Sequence, residues 1–324
     1  MPSIRRALKN LLFNRAQFVD SVISNCCTFL PDKLYLSLRY RCKMGQWINW
    51  NTPKTFAEKL QWLKVYNRRP EYTMMVDKYA VKDYVANIIG DKYIIPTIGV
   101  WDTPEDISWD SLPNQFVLKT TQGGGGGGVV ICRDKATLDK EEAIKILKES
   151  LRLDLYSSLR EWPYKNVQRR VLAEMYIEPS QSVGSGDLPD YKFFCFNGIP
   201  LYCQVIRDRS GMETIDFYDM NWKHLPFVGL NPVRPTKDTP IARNGTTPVP
   251  RPNHLDAMKE ICEKLSKGIP FVRVDLYVVG EVEFFGELTF FPASGMGTFT
   301  PEEWQYKLGE MIKLPIEDRG KFCV

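Results

Sequence analysis

Phe116-Val117-Leu118-Lys119-Thr120-Thr121-Gln122 runs into six consecutive glycines, residues 123–128, and then into Val129-Val130-Ile131-Cys132. Short runs of Val, Ile, Leu and Phe on both sides of a turn-forming stretch predict two β-strands of a hairpin. A phosphate needs many N–H donors with no side chains in the way, and glycine supplies bare backbone that can curl around it. A plain flexible linker is the commoner meaning of a glycine tract. Two features weigh against that here: strands flank the run, and Lys119 stands at the end of the first strand, where its ammonium could meet a phosphate. The pattern G-x-x-x-x-G-K-[ST] is absent, so this is not a P-loop.

A second constellation lies far along the chain, in Arg273-Val274-Asp275 and Glu281-Val282-Glu283-Phe284-Phe285-Gly286-Glu287-Leu288-Thr289. Strand alternation predicts Arg273 and Asp275 on one face, and Glu283, Phe285, Glu287 and Thr289 together on a face of the partner strand. Carboxylates gathered this way repel unless a cation joins them, and magnesium takes one or two protein carboxylates plus phosphate oxygens. A solvated sheet face with an Arg–Asp pair is an equally good reading of the spacing alone.

Between and around these stretches the order of elements is helical first and β-rich later. Residues 4–30 carry apolar positions at helical period beside Arg5, Arg6, Lys9 and Arg15. They predict a helix docked on its own domain, with contact to an anionic membrane surface as the sharper alternative. Thr55 with Glu58 three residues on makes a capping box before a helix that runs to Tyr66. Residues 77–85 continue helically to Gly90, an extended segment begins at Tyr93, residues 135–159 are helical by period, and residues 171–178 read as a strand. Asn197-Gly198 joins two further strands as a hairpin turn, and the proline-rich stretch 229–253 reads as an exposed loop able to cover a site.

Composition narrows the classes. The 324 residues are 44% hydrophobic and 25% charged, an ordinary globular profile of two or three packed lobes. A net charge of +4 is too small a bias to argue for nucleic acid. Eight cysteines without C-x-x-C spacing and only two histidines disfavour a structural zinc site and a disulfide scaffold, which makes a reducing cytoplasm the simplest home. Neither a signal peptide nor a membrane-spanning run is expected. The two histidines, His224 and His254, lie in no recognisable motif and read as ordinary surface residues.

Taken together, these blocks resemble the ATP-grasp superfamily, and within it the family similar to the teichuronopeptide-biosynthesis protein, called TupA-like. The likeness runs from about residue 50 almost to Pro315. It includes Thr55-Phe-Ala-Glu58-Lys59-Leu-Gln-Trp62-Leu63-Lys64, Asp77-Lys78-Tyr79-Ala80-Val81, Arg160-Glu161-Trp162, Asp190-Tyr191-Lys192-Phe193, Phe271-Val272-Arg273-Val274-Asp275 and Gly286-Glu287-Leu288-Thr289.

The resemblance implies an α+β ATP-grasp fold in which two lobes grip ATP. It would place an N-terminal helical extension at 1–75, a pre-grasp segment at 76–115, a small lobe with the glycine loop at 116–189, and a large lobe with a magnesium site at 190–324. By the same likeness Lys78 and Lys119 contact ATP phosphates, and the loop with Gly123, Gly124 and Gly125 closes over them. Glu174, Met175 and Ile177 form the hinge that meets adenine, Asp190 holds ribose, and Lys192 adds a phosphate contact. Asp275, Glu287 and Thr289 hold Mg2+, and Arg273 sits beside the reacting carboxylate. Thr289 stands where many relatives carry Asn, and the phosphate loop is purer in glycine than theirs.

The chemistry so implied is an ATP-dependent carboxylate–amine ligase working through an acyl phosphate, with a uronic acid of a bacterial surface polysaccharide or capsule precursor and an amino acid or peptide as substrates. Arg207 and Arg209 are candidates for gripping an acidic substrate, beside the reading of an exposed arginine pair. Two alternatives stay open: a sugar kinase using the same ATP site, and a non-catalytic nucleotide-binding protein of an assembly complex.

Overall fold

The structure is a computed structural model that describes residues 15–123, 127–178, 190–207, 213–232, 241–280 and 282–318. The expected Gly124 and Gly125 contacts, Arg209, and residues 4–14 of the basic helix lie outside the described residues.

Five helices come first: α1 (Arg15–Cys26), α2 (Asp32–Met44), α3 (Phe56–Tyr66), α4 (Glu71–Val76) and α5 (Ala80–Ile89). The capping box that starts α3 forms as expected, with the Thr55 hydroxyl accepting from the Glu58 N–H and the Glu58 carboxylate accepting from the Thr55 N–H. Glu58 also accepts from the N–H groups of Asn49 (3.1 Å) and Lys54 (2.9 Å), which ties the preceding loop to the helix. Phe56 packs edge-on against Phe271, with ring centroids 5.0 Å apart. The helical layer therefore shares the main hydrophobic core and is not an appendage.

Next comes a four-stranded antiparallel sheet of β1 (Thr97–Trp101), β2 (Phe116–Thr120), β3 (Val129–Cys132) and β4 (Val171–Met175), in the order β1-β4-β2-β3. Helix α6 (Lys140–Leu151) packs on β2 and β3, and α7 (Leu155–Leu159) follows. A larger sheet then forms from β5 (Asp190–Phe196), β6 (Ile199–Arg207), β7 (Thr214–Asp219), β8 (His224–Leu225) and, later in the chain, β10 (Phe271–Val279) and β11 (Val282–Thr289), ordered β11-β10-β5-β6-β7-β8. Strand β9 (Val228–Asn231) pairs with β12 (Thr298–Thr300), helix α8 (Leu255–Ser266) covers β5, β6 and β10, and α9 (Glu303–Met311) closes the order.

The hairpin signals at residues 116–132 and at Asn197-Gly198 hold. Lys119 is the register partner of Val129, and Asn197 (φ 52°) and Gly198 (φ 87°) adopt the two positive φ angles of the turn.

Several boundaries differ, each for a local reason. Asp77 turns its carboxylate onto the N–H groups of Tyr79 (2.8 Å) and Ala80 (3.1 Å), so α5 begins only at Ala80. The strand expected at Tyr93 begins at Thr97, because residues 91–93 form a 3-10 turn and Pro96 has no N–H to give a ladder. The helical stretch 135–159 divides in two, since Asp139 caps α6 at Glu142 and Asp154 caps α7 at Ser157.

The alternation expected along β11 also breaks. Asp275 pairs with Glu287 but Leu276 pairs with Phe285, so Gly286 is an extra residue in the ladder. A Cβ at Gly286 would lie 3.0 Å from the Asp275 carbonyl oxygen and 2.9 Å from the Tyr277 ring. This bulge flips the strand's parity, separating Glu283 from Glu287.

Among the described residues no helix is long and apolar enough to cross a membrane. Cys132, Cys195, Cys203 and Cys262 are buried, and none of the described cysteines is in a disulfide.

Replacing Glu58 by Ala removes the acceptor of three backbone N–H groups. It should lower stability by about 2–3 kcal/mol, read as a fall in the urea midpoint; an unchanged midpoint would show the loop before α3 to be held by other means.

Candidate nucleotide site

Two sets of charged side chains face one cleft, one from each sheet. On the smaller sheet, Glu174 of β4 is 5% exposed. It takes Lys82 Nζ at 2.7 Å on one oxygen and Lys119 Nζ at 2.5 Å on the other. Burial by itself raises the Glu174 carboxyl, but the two ammonium groups outweigh it and hold the group below its ordinary range. Lys82 also donates to the Ile95 carbonyl at 2.5 Å, and burial lowers its ammonium against the pull of Glu174. Lys78, just before α5, donates its Nζ to the Gly123 carbonyl and its backbone N–H to Thr121 at 3.0 Å, so it grips the start of the glycine loop.

On the larger sheet, Arg273 and Asp275 of β10 lie opposite Thr289 and Glu287 of β11. The Arg273 guanidinium donates to both Asp275 oxygens (2.6 and 2.7 Å), to Glu287 Oε1 at 3.1 Å and to the Thr289 hydroxyl at 3.0 Å. Thr289 in turn donates to Glu287 at 3.0 Å. Lys192 of β5 contacts Asp275 and lies 2.7 Å from Asp190. Burial would raise the Glu287 carboxyl, yet Lys78, Arg273 and Lys192 together bring it down to about 2. Burial likewise lowers the Lys78 ammonium, with Glu287 pulling the other way.

The two sets meet. Lys78 Nζ lies 4.0 Å from Glu287 Oε2. Lys78, Lys82, Lys119 and Glu174 line a small hollow, partly open to solvent, together with Val81, Ile94, Ile95, Phe285 and Gly286. Its lining combines apolar side chains with ammonium groups.

Several expected residues stand apart from this convergence. Met175 is 51% exposed and its N–H is already bonded to the Pro96 carbonyl at 3.1 Å, while Ile177 is half-buried beyond the end of β4. Asp190, by contrast, joins the large-sheet set, buried against Lys192, which also contacts Asp275. Arg207 is engaged by Asp216 (2.7 Å) and the Thr247 carbonyl (2.8 Å). The histidines are not ordinary surface residues: His224 meets buried Asp216 at 3.0 Å, and His254 meets Glu283 at 2.7 Å. The Glu283 so engaged is the one the bulge turned away from Glu287.

Lys82 is the residue that sequence reasoning missed. It lies four residues after Lys78, a spacing that in a continuous helix would place the two side chains on the same face.

A magnesium ion would find two carboxylates here, Asp275 and Glu287, on register-paired positions with a hydroxyl beside them. Among the described residues no trio of His, Cys, Asp or Glu is gathered as for a metal held by protein alone. Two carboxylates completed by phosphate oxygens is the donor set magnesium takes in nucleotide sites, so the residues fit it.

The chain is of the ATP-grasp class, with Lys119 on one antiparallel sheet and Lys78 beside it turned toward an Arg–carboxylate ladder on another. More narrowly, the chain belongs to the TupA-like ATP-grasp family, whose profile matches residues 58–313. No curated protein matches the sequence.

Among solved structures it is similar to a D-alanine–D-alanine ligase from Bacillus anthracis (19% identity, TM-score 0.43, 76% of this chain and 68% of that one). The same enzyme complexed with ATP gives 16% identity and a TM-score of 0.37, over 67% of this chain; the chain spans only 54% of that structure's length. A RimK domain ATP-grasp protein from Sphaerobacter thermophilus gives 12% identity and a TM-score of 0.38, over 76% of this chain and 70% of that one.

Because the Glu287 carboxyl is depressed from 4.5 to about 2, the stability it contributes is present above its unfolded value and lost as the pH falls through the folded one. Acidifying from about pH 5 to about pH 2 should therefore lower the urea midpoint of the wild type more than that of Glu287→Gln. Parallel slopes would show that Glu287 does not titrate with the ion pairs described.

Proposed function

We propose that this chain is a magnesium- and ATP-dependent carboxylate–amine ligase. The observation that carries the reading is the convergence of Lys78, from the pre-grasp part, and Lys119, from the small lobe, with Glu287, Asp275 and Arg273 from the large one, in a chain of the ATP-grasp family. The lobes correspond to residues 116–189 and 190–324, with 1–75 and 76–115 as the helical and pre-grasp parts.

In this reading Lys78, Lys119 and Lys192 neutralise the phosphates of bound ATP, and residues 123–128 close over them. The hinge 174–177 receives adenine and Asp190 receives ribose. Asp275 and Glu287, with Thr289 beside them, would hold magnesium, which supplies charge neutralisation at the phosphates. An oxygen of the substrate carboxylate attacks the γ-phosphorus, and the bond to the bridging oxygen of ADP breaks. Arg273 orients that carboxylate and offsets its negative charge. An amine nitrogen then attacks the acyl carbon of the resulting acyl phosphate, the carbon–oxygen bond breaks, phosphate leaves, and the nitrogen loses a proton. Positioning and charge stabilisation account for the rate, and no protein nucleophile is required.

The family likeness supports a uronic acid of a bacterial surface polysaccharide precursor as the carboxylate, with an amino acid or peptide as the amine. Exposed Val19 and Val22 on α1, with Phe29 just after it, support peripheral contact of the basic N-terminal region with the inner face of the membrane.

Incubation with Mg-ATP, a panel of uronic acids and hydroxylamine should release ADP and form a hydroxamate, and Lys119→Met should slow ADP release on the order of 10²-fold. A phosphorylated sugar without hydroxamate would assign a kinase instead, and the absence of ADP release with every acid would leave a nucleotide-binding protein without catalysis.

A further inference from the structure

The sequence block Gln61-Trp62-Leu63-Lys64 and the block Arg160-Glu161-Trp162 take no part in the nucleotide site, yet they meet in a buried polar cluster. Lys64 is fully buried, at 0% exposure. Its ammonium donates to the Leu159 carbonyl (2.9 Å), the Ser294 carbonyl (2.9 Å) and the Ser294 hydroxyl (2.8 Å). Three donors thus meet three acceptors, the full capacity of a protonated lysine. It also sits 5.4 Å from the centre of the Phe291 ring. Gln61, one turn earlier on α3, donates to the Ser294 (3.1 Å) and Gly295 (2.8 Å) carbonyls. Glu161, 7% exposed, balances the charge and hydrogen-bonds Ser294.

The segment so gripped has an unusual backbone. Ala293 (φ 49°), Ser294 (φ 52°) and Gly295 (φ 63°) are all left-handed in succession. Such a conformation costs about 1 kcal/mol or more at each non-glycine residue, and persists only where neighbours over-determine it. The neighbours that do so are Lys64 and Gln61. Residues 290–295 continue directly from β11, whose last residues are Glu287, Leu288 and Thr289. A buried lysine is an expensive way to fill a core, since burial lowers its ammonium to about 7 against the pull of Glu161; an apolar side chain would fill the space more cheaply.

We infer that Lys64 and Gln61 are positioning residues: through the left-handed turn 293–295 they fix the end of β11 and so hold Glu287 and Thr289 at the spacing the magnesium–nucleotide complex requires. This rests on the nucleotide reading above and adds to it a role for helix α3, which supplies no ligand of its own. Lys78, Lys82, Lys119 and Glu174 are held by contacts outside the network, so nucleotide binding without metal depends on it less than metal-dependent binding does.

The test is calorimetric titration of the full chain with the non-hydrolysable analogue AMPPNP, once in EDTA and once in magnesium. Lys64→Met with Glu161→Gln removes the ammonium without leaving its counter-charge buried, and Gln61→Leu is a second variant with a smaller lesion. Lys59→Met is the comparison, because Lys59 anchors the same helix by a bond to the Ile312 carbonyl at 2.8 Å but does not touch the turn.

In EDTA all variants should bind within about threefold of the wild type, while in magnesium the Lys64 double variant should lose about tenfold or more of the metal-dependent gain. Gln61→Leu should lose a smaller part of it, and Lys59→Met none even where its melting temperature falls as far. A magnesium gain in the Lys64 double variant equal to that of the wild type overturns the inference, as does an equal loss in Lys59→Met. Failure of the wild type to bind AMPPNP under either condition is a different result, and overturns the nucleotide reading itself.

Discussion

The fork of Arg273 is the constraint on which the large lobe is built. Asp275 and Glu287 stand opposite each other on adjacent strands, an arrangement that like charges resist. One guanidinium answers both, reaching the two oxygens of Asp275, the near oxygen of Glu287 and the Thr289 hydroxyl. A planar, five-donor cation can do this where an ammonium cannot. The fork works only in one register, and that register depends on the extra residue at Gly286, where a side chain would meet the Asp275 backbone. The lack of a side chain at one glycine therefore decides the electrostatics of a site several residues wide.

Across the cleft the small lobe solves the inverse problem. There the excess is positive, and Glu174 gathers Lys82 and Lys119 while Lys78 leans toward Glu287. The two sides of the cleft together are close to charge balance before any anion enters. An entering polyphosphate competes with protein carboxylates for ammonium groups already aimed inward, so little reorganisation is needed beyond an exchange of partners. Such balance also discourages capture of stray anions, because a simple anion would have to break buried ion pairs without offering several charges in return.

What could be read from the sequence was whatever is written locally. The glycine hairpin, the Asn197-Gly198 turn, the Thr55–Glu58 capping box and the pairing of Arg273 and Asp275 on one face follow from neighbours in the chain, and each appears in the fold. The bulge at Gly286 was not legible, because alternation in one strand says nothing of the partner's register; Glu283 was misplaced for that reason alone. Lys82 and Lys64 were passed over as helix lysines. Their importance comes from carboxylates and carbonyls far away in sequence, and composition and period carry no trace of these. The commitment of Arg207 to Asp216 escaped notice likewise, since nothing along the chain distinguishes a paired arginine from a free one.

The cysteines show how unevenly the molecule meets its surroundings. Cys195, Cys203 and Cys262 are sealed in the core beside β5, β6 and α8, and burial holds the thiols of Cys203 and Cys262 well above their ordinary range. Cys26 is exposed at the end of α1, with Cys27 and Cys42 partly so. Among the described residues, then, mild alkylation or fluorophore attachment is confined to the N-terminal helical layer. The protein carries a natural handle for reporting on that layer, at a place where a label touches no group that lines the cleft.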